Sequence, residues 1–326
     1  MIYDKCPLYG LNSKKVLLHL LKIPSSQYIN QKFIANKIHP YIETNESNGK
    51  KRLLEPPEDD IKSIQTRIKV CLSKIVVPDY VFSGIKNKSY IGNAIFHAGK
   101  KYLFKTDLTA FFPSTTREKV YSFFRNKLMT SSDVANILTN FTTIDLDLSN
   151  CNDIITINNF LNEKGVTTRN HLISGAPTSQ ILSYLSNVDM FDSLHALSSK
   201  HNIIMTVYVD DVTFSSTIYI SKIMRKKIID VFQKNGFRTS DKKVKFYYKT
   251  CPKLVTGVII NHQGKVELKN SLRKKLIDEF SILIKNPYNM KSRKRLRGLI
   301  TSARQIDHNA FPSINAFAFD KKYKIN

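Results

Sequence analysis

Two adjacent aspartates between two apolar runs constrain the fold of this chain more than any other feature. Asp210 and Asp211 follow residues 203–207 and Tyr208, and the chain continues with Val, Thr and Phe at residues 212–214. These β-branched and aromatic runs predict a hairpin with both aspartates at its turn. Two carboxylates held side by side repel each other unless a cation lies between them. The pair therefore indicates a divalent-metal site of the kind used in phosphoryl transfer, in preference to an ordinary solvated turn.

A third carboxylate closes another predicted strand. Residues 101–107 alternate between polar and apolar side chains, and Asp107 is the last of them. Asp107 is far from Asp210 in sequence, but both end or turn strands, so one shared sheet would bring them together. One carboxylate from a strand and two from a neighbouring hairpin is the layout of a polymerase palm.

Composition favours a soluble protein with a polyanionic partner. The net charge is +25 and the isoelectric point is near 9.8, which suits nucleic acid better than a membrane surface. No apolar run approaches the length of a membrane span and no signal-peptide pattern opens the chain, so we expect a cytoplasmic location and no membrane partner. The four cysteines are scattered without Cys-x-x-Cys spacing, which favours reduced thiols over zinc ligands or disulfides.

The order of elements predicts three regions. Residues 1–100 hold N-terminal helices and a hairpin, with a turn at residues 45–49 and a basic return strand at residues 50–54. Residues 101–250 hold Asp107 and the aspartate hairpin. Residues 251–326 hold a second hairpin and a basic, helical C-terminal region.

Two of these regions contain further predicted features. Residues 142–170 are rich in Asn, Thr, Asp and Ser with weak periodicity, and we interpret them as a surface insertion. The second hairpin is predicted to pair residues 254–260 with residues 265–268. Residues 291–297 are almost entirely cationic, which indicates a surface that grips nucleic acid, although such runs are often only solvated helix faces.

Short sequence blocks carry a resemblance to a known family. Residues 107–112, residues 175–179 (Gly-Ala-Pro-Thr-Ser) and residues 208–211 (Tyr-Val-Asp-Asp) occur in the order of the reverse-transcriptase blocks. Asn-Ala-Ile-Phe-His at residues 93–97 and Val-Thr-Gly at residues 255–257 match two elements of the bacterial retron enzymes. The chain therefore resembles the bacterial retron reverse transcriptases.

This resemblance covers roughly residues 40–310 and implies an α+β, right-hand polymerase fold. Residues 1–100 would include the fingers, residues 101–250 the palm of antiparallel sheet and helices, and residues 251–326 a primer-grip-like hairpin and a helical thumb. Residues 93–97 would then lie between the fingers and the first catalytic aspartate.

The resemblance also implies a two-metal centre. Asp107 and Asp210 would bridge two Mg²⁺ ions, for which Mn²⁺ is a possible substitute, and Asp211 would be more peripheral. The backbone carbonyl of Leu108 would contact the ion on the triphosphate side. Lys243 would donate a proton to the leaving pyrophosphate, with neighbouring Lys242 as the alternative donor.

A nucleotide site is implied beside that centre. Arg52 resembles the arginine of the fingers that holds the triphosphate, because its planar fork binds phosphate oxygens bidentately. Phe112 would lie beneath the sugar and exclude a 2′-hydroxyl, so deoxynucleotides are the expected substrate; a plain core Phe is the alternative. Ser174 stands where relatives have a glutamine that contacts the nucleotide, next to Gly175 and Pro177.

The expected RNA contacts fall in the two retron-type elements and in the basic run. Asn93 and His97 are four residues apart and would face the same way from a helical turn, although His97 could instead be a satisfied structural histidine. The glycine of residues 255–257 would allow close approach of a backbone. The predicted RNA-binding residues are Asn93, His97, Val255, Thr256, Gly257, Arg293, Arg295 and Arg297.

For function, the resemblance implies an enzyme that binds its own structured noncoding RNA. It would prime from the 2′-hydroxyl of an internal guanosine and use dNTPs to make a branched RNA–DNA hybrid. A separate effector protein in antiphage defence and a host RNase H are the further expected partners. The alternatives are a group II intron-like or other bacterial reverse transcriptase, a palm-type nucleotidyl cyclase, and an RNA-binding scaffold that restrains an effector.

Overall fold

The computed structural model describes residues 1–46, 49–320 and 322. It combines helices with antiparallel sheets, which confirms the predicted α+β class. Short 3₁₀ and π turns accompany the α-helices at Ser26–Ile29 and Phe123–Lys127. The α-helices are α1 (Lys14–Leu20), α2 (Gln31–Ala35), α3 (Asp59–Leu72), α4 (Tyr90–Phe96), α5 (Arg117–Ser122), α6 (Ser132–Thr142), α7 (Ile154–Glu163), α8 (Ser179–Leu185), α9 (Val188–Lys200), α10 (Lys222–Lys234), α11 (Asn270–Lys285), α12 (Met290–Ile306) and α13 (Pro312–Ala318). The strands are β1 (Tyr41–Thr44), β2 (Lys51–Leu54), β3 (Tyr102–Asp107), β4 (Thr143–Asp145), β5 (Asn170–Leu172), β6 (Ile204–Tyr208), β7 (Asp211–Ser216), β8 (Lys245–Tyr247), β9 (Lys253–Val255), β10 (Val258–Ile260) and β11 (Val266–Glu267).

A four-stranded antiparallel sheet in the order β6-β7-β3-β8 forms the centre of the molecule. β3 pairs with β7 over its whole length, so that Tyr102 lies opposite Ser216 and Asp107 lies opposite Asp211. The apolar side chains that alternate along these strands, such as Phe104 and Phe214, are buried against the surrounding helices. The register therefore brings the ends of β3 and of the β6–β7 hairpin to the same edge of the sheet.

Local sequence explains the helices that cover this sheet. In α3, Ile61, Ile64 and Ile68 recur at helical spacing and are all buried, as their periodicity predicted. In α10, the Ser221 side chain accepts a hydrogen bond from the Met224 backbone N–H and so caps the helix. These amphipathic helices turn their apolar stripes towards one large core.

The N-terminal hairpin pairs β1 with β2 in antiparallel register. Ser47 and Asn48, in the middle of the predicted turn, lie outside the described residues. β2 runs on to Glu55, whose backbone N–H donates to the Ser174 carbonyl at 2.8 Å. The hairpin is thereby joined to the loop that precedes α8.

Residues 142–170 are not a surface insertion, and that interpretation was wrong. β4 and β5 pair antiparallel, and α7 between them buries Ile157, Phe160 and Leu161 in the main core. The many Asn and Thr side chains on the outer face of α7 weaken its apparent periodicity. Residues 146–153 and 164–169 of this segment lie in turns and loops.

The predicted strand 254–260 is interrupted by a tight turn. Thr256 and Gly257 have φ angles of +44° and +89°, and the chain reverses there so that Val255 pairs with Val258. Glycine tolerates this left-handed backbone, whereas Thr256 is strained by it. Residues 255–257 therefore present a turn between β9 and β10, not the opening of one continuous strand.

The C-terminal helices α11, α12 and α13 enclose a smaller core of their own. Leu276 and Leu283 of α11 and Leu296 and Ile300 of α12 are fully buried there. Within the described part of the chain, no helix has both the length and the apolar character that crossing a bilayer requires.

Candidate active site

Three carboxylates meet at one edge of the central sheet. Asp107 ends β3 opposite Asp211, which begins β7, and Asp210 lies in the two-residue turn before it. The Leu108 backbone N–H donates to the Asp210 carbonyl at 2.9 Å and holds this turn against the end of β3. Val209, the other turn residue, has a φ of +57°, which is strained for a β-branched side chain. The pairing of β3 with β7 thus brings together Asp107 and Asp210, which are about a hundred residues apart in sequence.

The electrostatics of this edge disfavour three bare anions. Burial, together with the nearby charges of Asp107 and Asp211, raises the pKa of Asp210 to about 6. Burial also raises the pKa of Asp211, although the Lys105 ammonium opposes that rise. The edge therefore favours cations beside the carboxylates.

Two lysine ammonium groups occupy positions beside these carboxylates. Lys243 Nζ lies 2.5 Å from Asp107 Oδ2, and Lys105 Nζ lies 3.1 Å from Asp211 Oδ2. Burial lowers the pKa of Lys243, but its bond to Asp107 and the other aspartates outweigh this and raise the pKa overall. The Lys243 side chain is 42% exposed, whereas that of Lys105 is 15% exposed. Lys243 is consequently the freer of the two to move away.

Hard carboxylate oxygens are the ligands that Mg²⁺ prefers, so the donor set fits the expected metal chemically. Its present arrangement does not enclose an ion: among the described residues, no three His, Cys, Asp or Glu side chains are grouped closely enough to hold one. Asp107 and Asp210 would be the ligands, with the Lys243 ammonium released from Asp107.

Four of the five predicted nucleotide residues line one cleft of about 720 Å³. Phe112 lies on its wall, half-buried, while its neighbour Phe111 is in the core. Pro177 is half-buried at the start of α8 and lies apart from this cleft. The predicted site residues that line the cleft are Arg52, Asp107, Leu108, Phe112, Ser174, Gly175, Asp210 and Lys243.

Two further cations, Lys50 and Arg52, line the cleft beside Lys243. Burial lowers the pKa of Lys50, and the charges of Lys243 and Arg52 lower it further, which places these three side chains close together. Arg52 is exposed on β2, and Lys242 is exposed next to Lys243 but does not line the cleft. The cleft thus has an acidic edge and a basic wall, an arrangement suited to a polyphosphate bound with a cation.

Sequence reasoning missed a buried tether beneath the cleft. Glu55 and His171 are fully buried, and Glu55 Oε1 lies 3.0 Å from His171 Nε2. Glu55 Oε2 accepts from the Ser174 backbone N–H at 2.6 Å, and Ser174 Oγ donates to the Leu53 carbonyl at 2.8 Å. These bonds fix the strand that carries Arg52 to the loop that carries Gly175. Only Ser174 had been singled out in the sequence, and its hydroxyl points into this tether.

Lys105 was also missed, although its position offers a signal. It precedes Asp107 by two residues on a strand, so both side chains point to the same face of the sheet. A lysine two residues before an aspartate that ends a strand can therefore form an ion pair with a carboxylate of the neighbouring strand.

Asn93 and His97 have structural positions, and their predicted direct contacts with RNA are not supported. Both side chains are fully buried. His97 Nδ1 lies 2.7 Å from Ser215 Oγ, and His97 Nε2 lies 2.7 Å from Thr206 Oγ1, so the ring joins α4 to β7 and β6. Burial lowers the pKa of His97 to about 3, so the ring is neutral at ordinary pH.

The two retron-type elements contact each other. Thr256 Oγ1 donates to the Tyr90 carbonyl at 2.8 Å, and Asn93 Nδ2 approaches Thr256 Oγ1 at 3.5 Å. Val255 is buried against Ala94 in a small core of its own. Gly257 forms the turn with Thr256, and Thr256 lines a second cleft of about 470 Å³ together with Asp210 and Asp211. The elements therefore place this turn beside the aspartate hairpin.

The three arginines of the basic run differ in accessibility. Arg293 is fully buried and donates to the Phe317 and Pro287 carbonyls at 2.9 and 3.0 Å, so its predicted contact with RNA is replaced by a structural role. Arg297 is half-buried and donates to the Ala318 carbonyl at 2.7 Å. Arg295 is the most exposed of the three, with Glu279 at 3.4 Å.

The geometry defines an α+β protein with a cleft large enough for a nucleotide. Carboxylates at strand ends and the basic side chains of Lys50 and Arg52 line this cleft. No protein-family model matches the chain. It is 28% identical over 186 residues to the Retron Se72 reverse transcriptase of Salmonella heidelberg, a match covering 56% of this chain but 42% of that protein. It is 26% identical over 290 residues to the Retron Ec73 reverse transcriptase of Escherichia coli, covering 84% of each chain.

A third relative, the Retron Mx162 reverse transcriptase of Myxococcus xanthus, is 25% identical over 233 residues, which cover 67% of this chain and 46% of that protein. These matches confirm the resemblance predicted from the short blocks: the chain is a relative of the retron reverse transcriptases. The matched segments are less than half of the Salmonella and Myxococcus proteins but most of the E. coli one.

Proposed function

We propose that the chain is an RNA-directed DNA polymerase of the retron type. The observation that carries this proposal is the convergence of strand-end aspartates and four of the five predicted nucleotide residues on one cleft. The chain is also related to a retron reverse transcriptase along 84% of its length. In this proposal the β1–β2 hairpin belongs to the fingers, the central sheet to the palm, and α11 to α13 to the thumb.

Each residue of the cleft has a proposed task in this reaction. Arg52 and Lys50 bind the triphosphate of the incoming dNTP from the basic wall. Phe112 packs under the sugar and excludes a 2′-hydroxyl. Lys243 leaves Asp107 and supplies a proton to the departing pyrophosphate. Two Mg²⁺ ions held by Asp107 and Asp210 would activate the attacking hydroxyl and neutralise charge on the triphosphate.

The proposed substrate and partners extend the resemblance to the retron reverse transcriptases. The chain would hold its own structured noncoding RNA, prime from the 2′-hydroxyl of an internal guanosine, and make a branched RNA–DNA hybrid. An effector protein in antiphage defence would be a separate partner, and host RNase H would remove template RNA. A group II intron-like enzyme and an RNA-binding scaffold remain the competing proposals.

Sequencing the nucleic acid that copurifies with the chain tests the proposal. A retron enzyme should carry one dominant RNA joined through a 2′–5′ branch to complementary DNA, and a debranching nuclease should release that DNA. Heterogeneous RNA without linked DNA would favour the scaffold. The Phe112→Val variant, assayed on an annealed primer, should incorporate ribonucleotides more readily than the parent, because bulk beneath the 2′ position is removed.

A further inference from the structure

A cluster of aromatic side chains lies at the β8 edge of the central sheet. Phe246 is its hub: the Tyr102 ring lies parallel to it at 6.3 Å, and the Tyr219 and Tyr248 rings stand nearly perpendicular at 5.6 and 5.0 Å. The Arg225 guanidinium lies over the Phe246 ring at 4.0 Å. We call these five side chains the aromatic patch.

The patch is not a closed extension of the core. Tyr219 is 46% exposed and Tyr248 is 52% exposed, although both rings are held in place by contacts with Phe246. A rigid, exposed ring loses little conformational entropy when a ligand stacks on it. The two tyrosines are therefore ordered in advance for a flat partner.

The chain segments that supply the patch are rich in lysine. Residues 212–229 and 242–266, which supply four of its five side chains, contain no Asp or Glu. Exposed lysines flank those side chains along the chain at positions Lys101, Lys222, Lys245 and Lys249. Protein-binding surfaces are depleted in lysine, whereas surfaces for single-stranded nucleic acid combine aromatic rings with a cationic track.

The patch is separate from the cleft. Tyr102 begins β3 and Asp107 ends it, about 17 Å further along the extended strand, and Phe246 lies opposite Phe104, about 10 Å of strand from Asp107. None of the five patch side chains lines the cleft of the carboxylates or the adjoining cleft beside Thr256.

We propose that the aromatic patch binds an unpaired stretch of RNA, with bases stacked on Tyr219 and Tyr248 and phosphates on the flanking lysines. An unpaired stretch is required because a duplex hides the faces of its bases, which stacking needs. This inference rests on the proposed function, in which the enzyme retains a structured RNA. A site outside the cleft would anchor that RNA while its template segment moves through the cleft.

The test measures binding of a fluorescent oligouridylate to the full chain whose cleft is first filled with a saturating RNA–DNA hybrid. The Tyr219→Ala/Tyr248→Ala double variant should bind about tenfold or more weakly, because each of the two stacked bases contributes a factor of about five or more. The Tyr219→Phe/Tyr248→Phe variant should stay within twofold of the parent, since the rings remain. Tyr9→Ala, which removes a comparably exposed tyrosine near the N-terminus, is the matched control.

Unchanged affinity in the double alanine variant would overturn the proposal, as would an equal loss in Tyr9→Ala. If the double alanine variant keeps its RNA affinity but no longer binds a protein that the parent binds in solution, the patch is a protein-binding surface and the proposal is likewise overturned. Extension of an annealed primer, measured on the same proteins, should be retained by the double variant. If the parent extends no primer, the proposed function fails while the binding result still decides the role of the patch.

Discussion

At the scale of single residues, side chains of one type take different roles because their burial differs. Lys243 contacts Asp107 at the cleft, while its neighbour Lys242 points to solvent. Arg293 is buried against α13, whereas Arg295 is exposed. Sequence alone does not separate such neighbours, because charge and spacing are nearly the same.

Lys243 and Lys242 form a matched pair for testing proton donation. Lys243→Gln should lower kcat for primer extension about a hundredfold, as expected for loss of a general acid, and flatten the alkaline limb of its pH profile. Lys242→Gln should remain within twofold of the parent. Single-turnover rates across pH measure both. Equal losses in the two variants would remove Lys243 from the reaction and leave only a general charge effect.

His97 provides a prediction about pH and stability. Its pKa is about 3 in the folded chain against an ordinary 6.5, so below pH 6.5 the unfolded chain binds more protons than the folded one. The contribution of the neutral ring to the free energy of unfolding is therefore fully present above pH 6.5. On acidification it falls by about 1.4 kcal/mol per pH unit, down to the pKa of the folded chain.

Urea denaturation at pH 7.5 and 5.5 measures this effect. The parent should lose about 1.4 kcal/mol more than His97→Gln over that interval. Identical pH slopes would contradict the buried neutral ring. Because His97 joins α4 to β6 and β7, the variant should also lose self-primed synthesis and extension of an annealed primer together, contrary to a role in RNA choice.

At the scale of elements, distant segments are joined by buried polar contacts. Glu55 and His171 link β2 to β5, and Asn93 and Thr256 link α4 to the β9–β10 turn. In the proposed enzyme, the first link holds the triphosphate-binding strand against the nucleotide loop. The second fixes the Thr256 turn beside the aspartates.

Ser174 tests the first link. Glutamine, the usual residue of the family at this position, is too long for a side chain only 9% exposed that donates to the Leu53 carbonyl. Ser174→Gln should therefore lower the free energy of unfolding by about 1–3 kcal/mol through overpacking and should raise the KM for dNTPs. Ser174→Ala, which loses only the hydrogen bond, should cost about 1 kcal/mol. A stable glutamine variant with a lower KM would show instead that residue 174 faces the nucleotide.

At the scale of the whole molecule, the net charge of +25 is distributed between structural and accessible positions. Arg295→Ala should weaken RNA binding and lower the slope of log affinity against log salt by about one, with unchanged stability. Arg293→Ala should instead destabilise the C-terminal helices by about 2–3 kcal/mol, because two carbonyls lose a charged donor. Filter binding at a series of salt concentrations measures the change in RNA affinity, and thermal unfolding measures the change in stability. Reversed effects would contradict the assigned exposures.

The sequence predicted what local patterns determine. The strand-end positions of Asp107, Asp210 and Asp211 were predicted because strand alternation and turn composition are readable over a few residues. The helix at Ile61 was predicted from its 3.6-residue period. The tether of Glu55 to His171 was missed because it joins residues 116 apart, which no local pattern encodes. The segment 142–170 was misread because polar outer faces hide a buried stripe.

The most direct test of the central claim is extension of an annealed DNA primer on an RNA template by Asp210→Asn. This change preserves the side-chain shape but removes a carboxylate whose pKa burial raises, so the fold should be at least as stable as the parent's. Asp241→Asn, at a nearby exposed aspartate, is the control. We predict loss of extension by a factor of about a thousand or more in Asp210→Asn, with unchanged RNA binding, and parent-like extension in Asp241→Asn. Extension at the parent's rate by Asp210→Asn would contradict the assignment of these strand-end carboxylates as a polymerase active site.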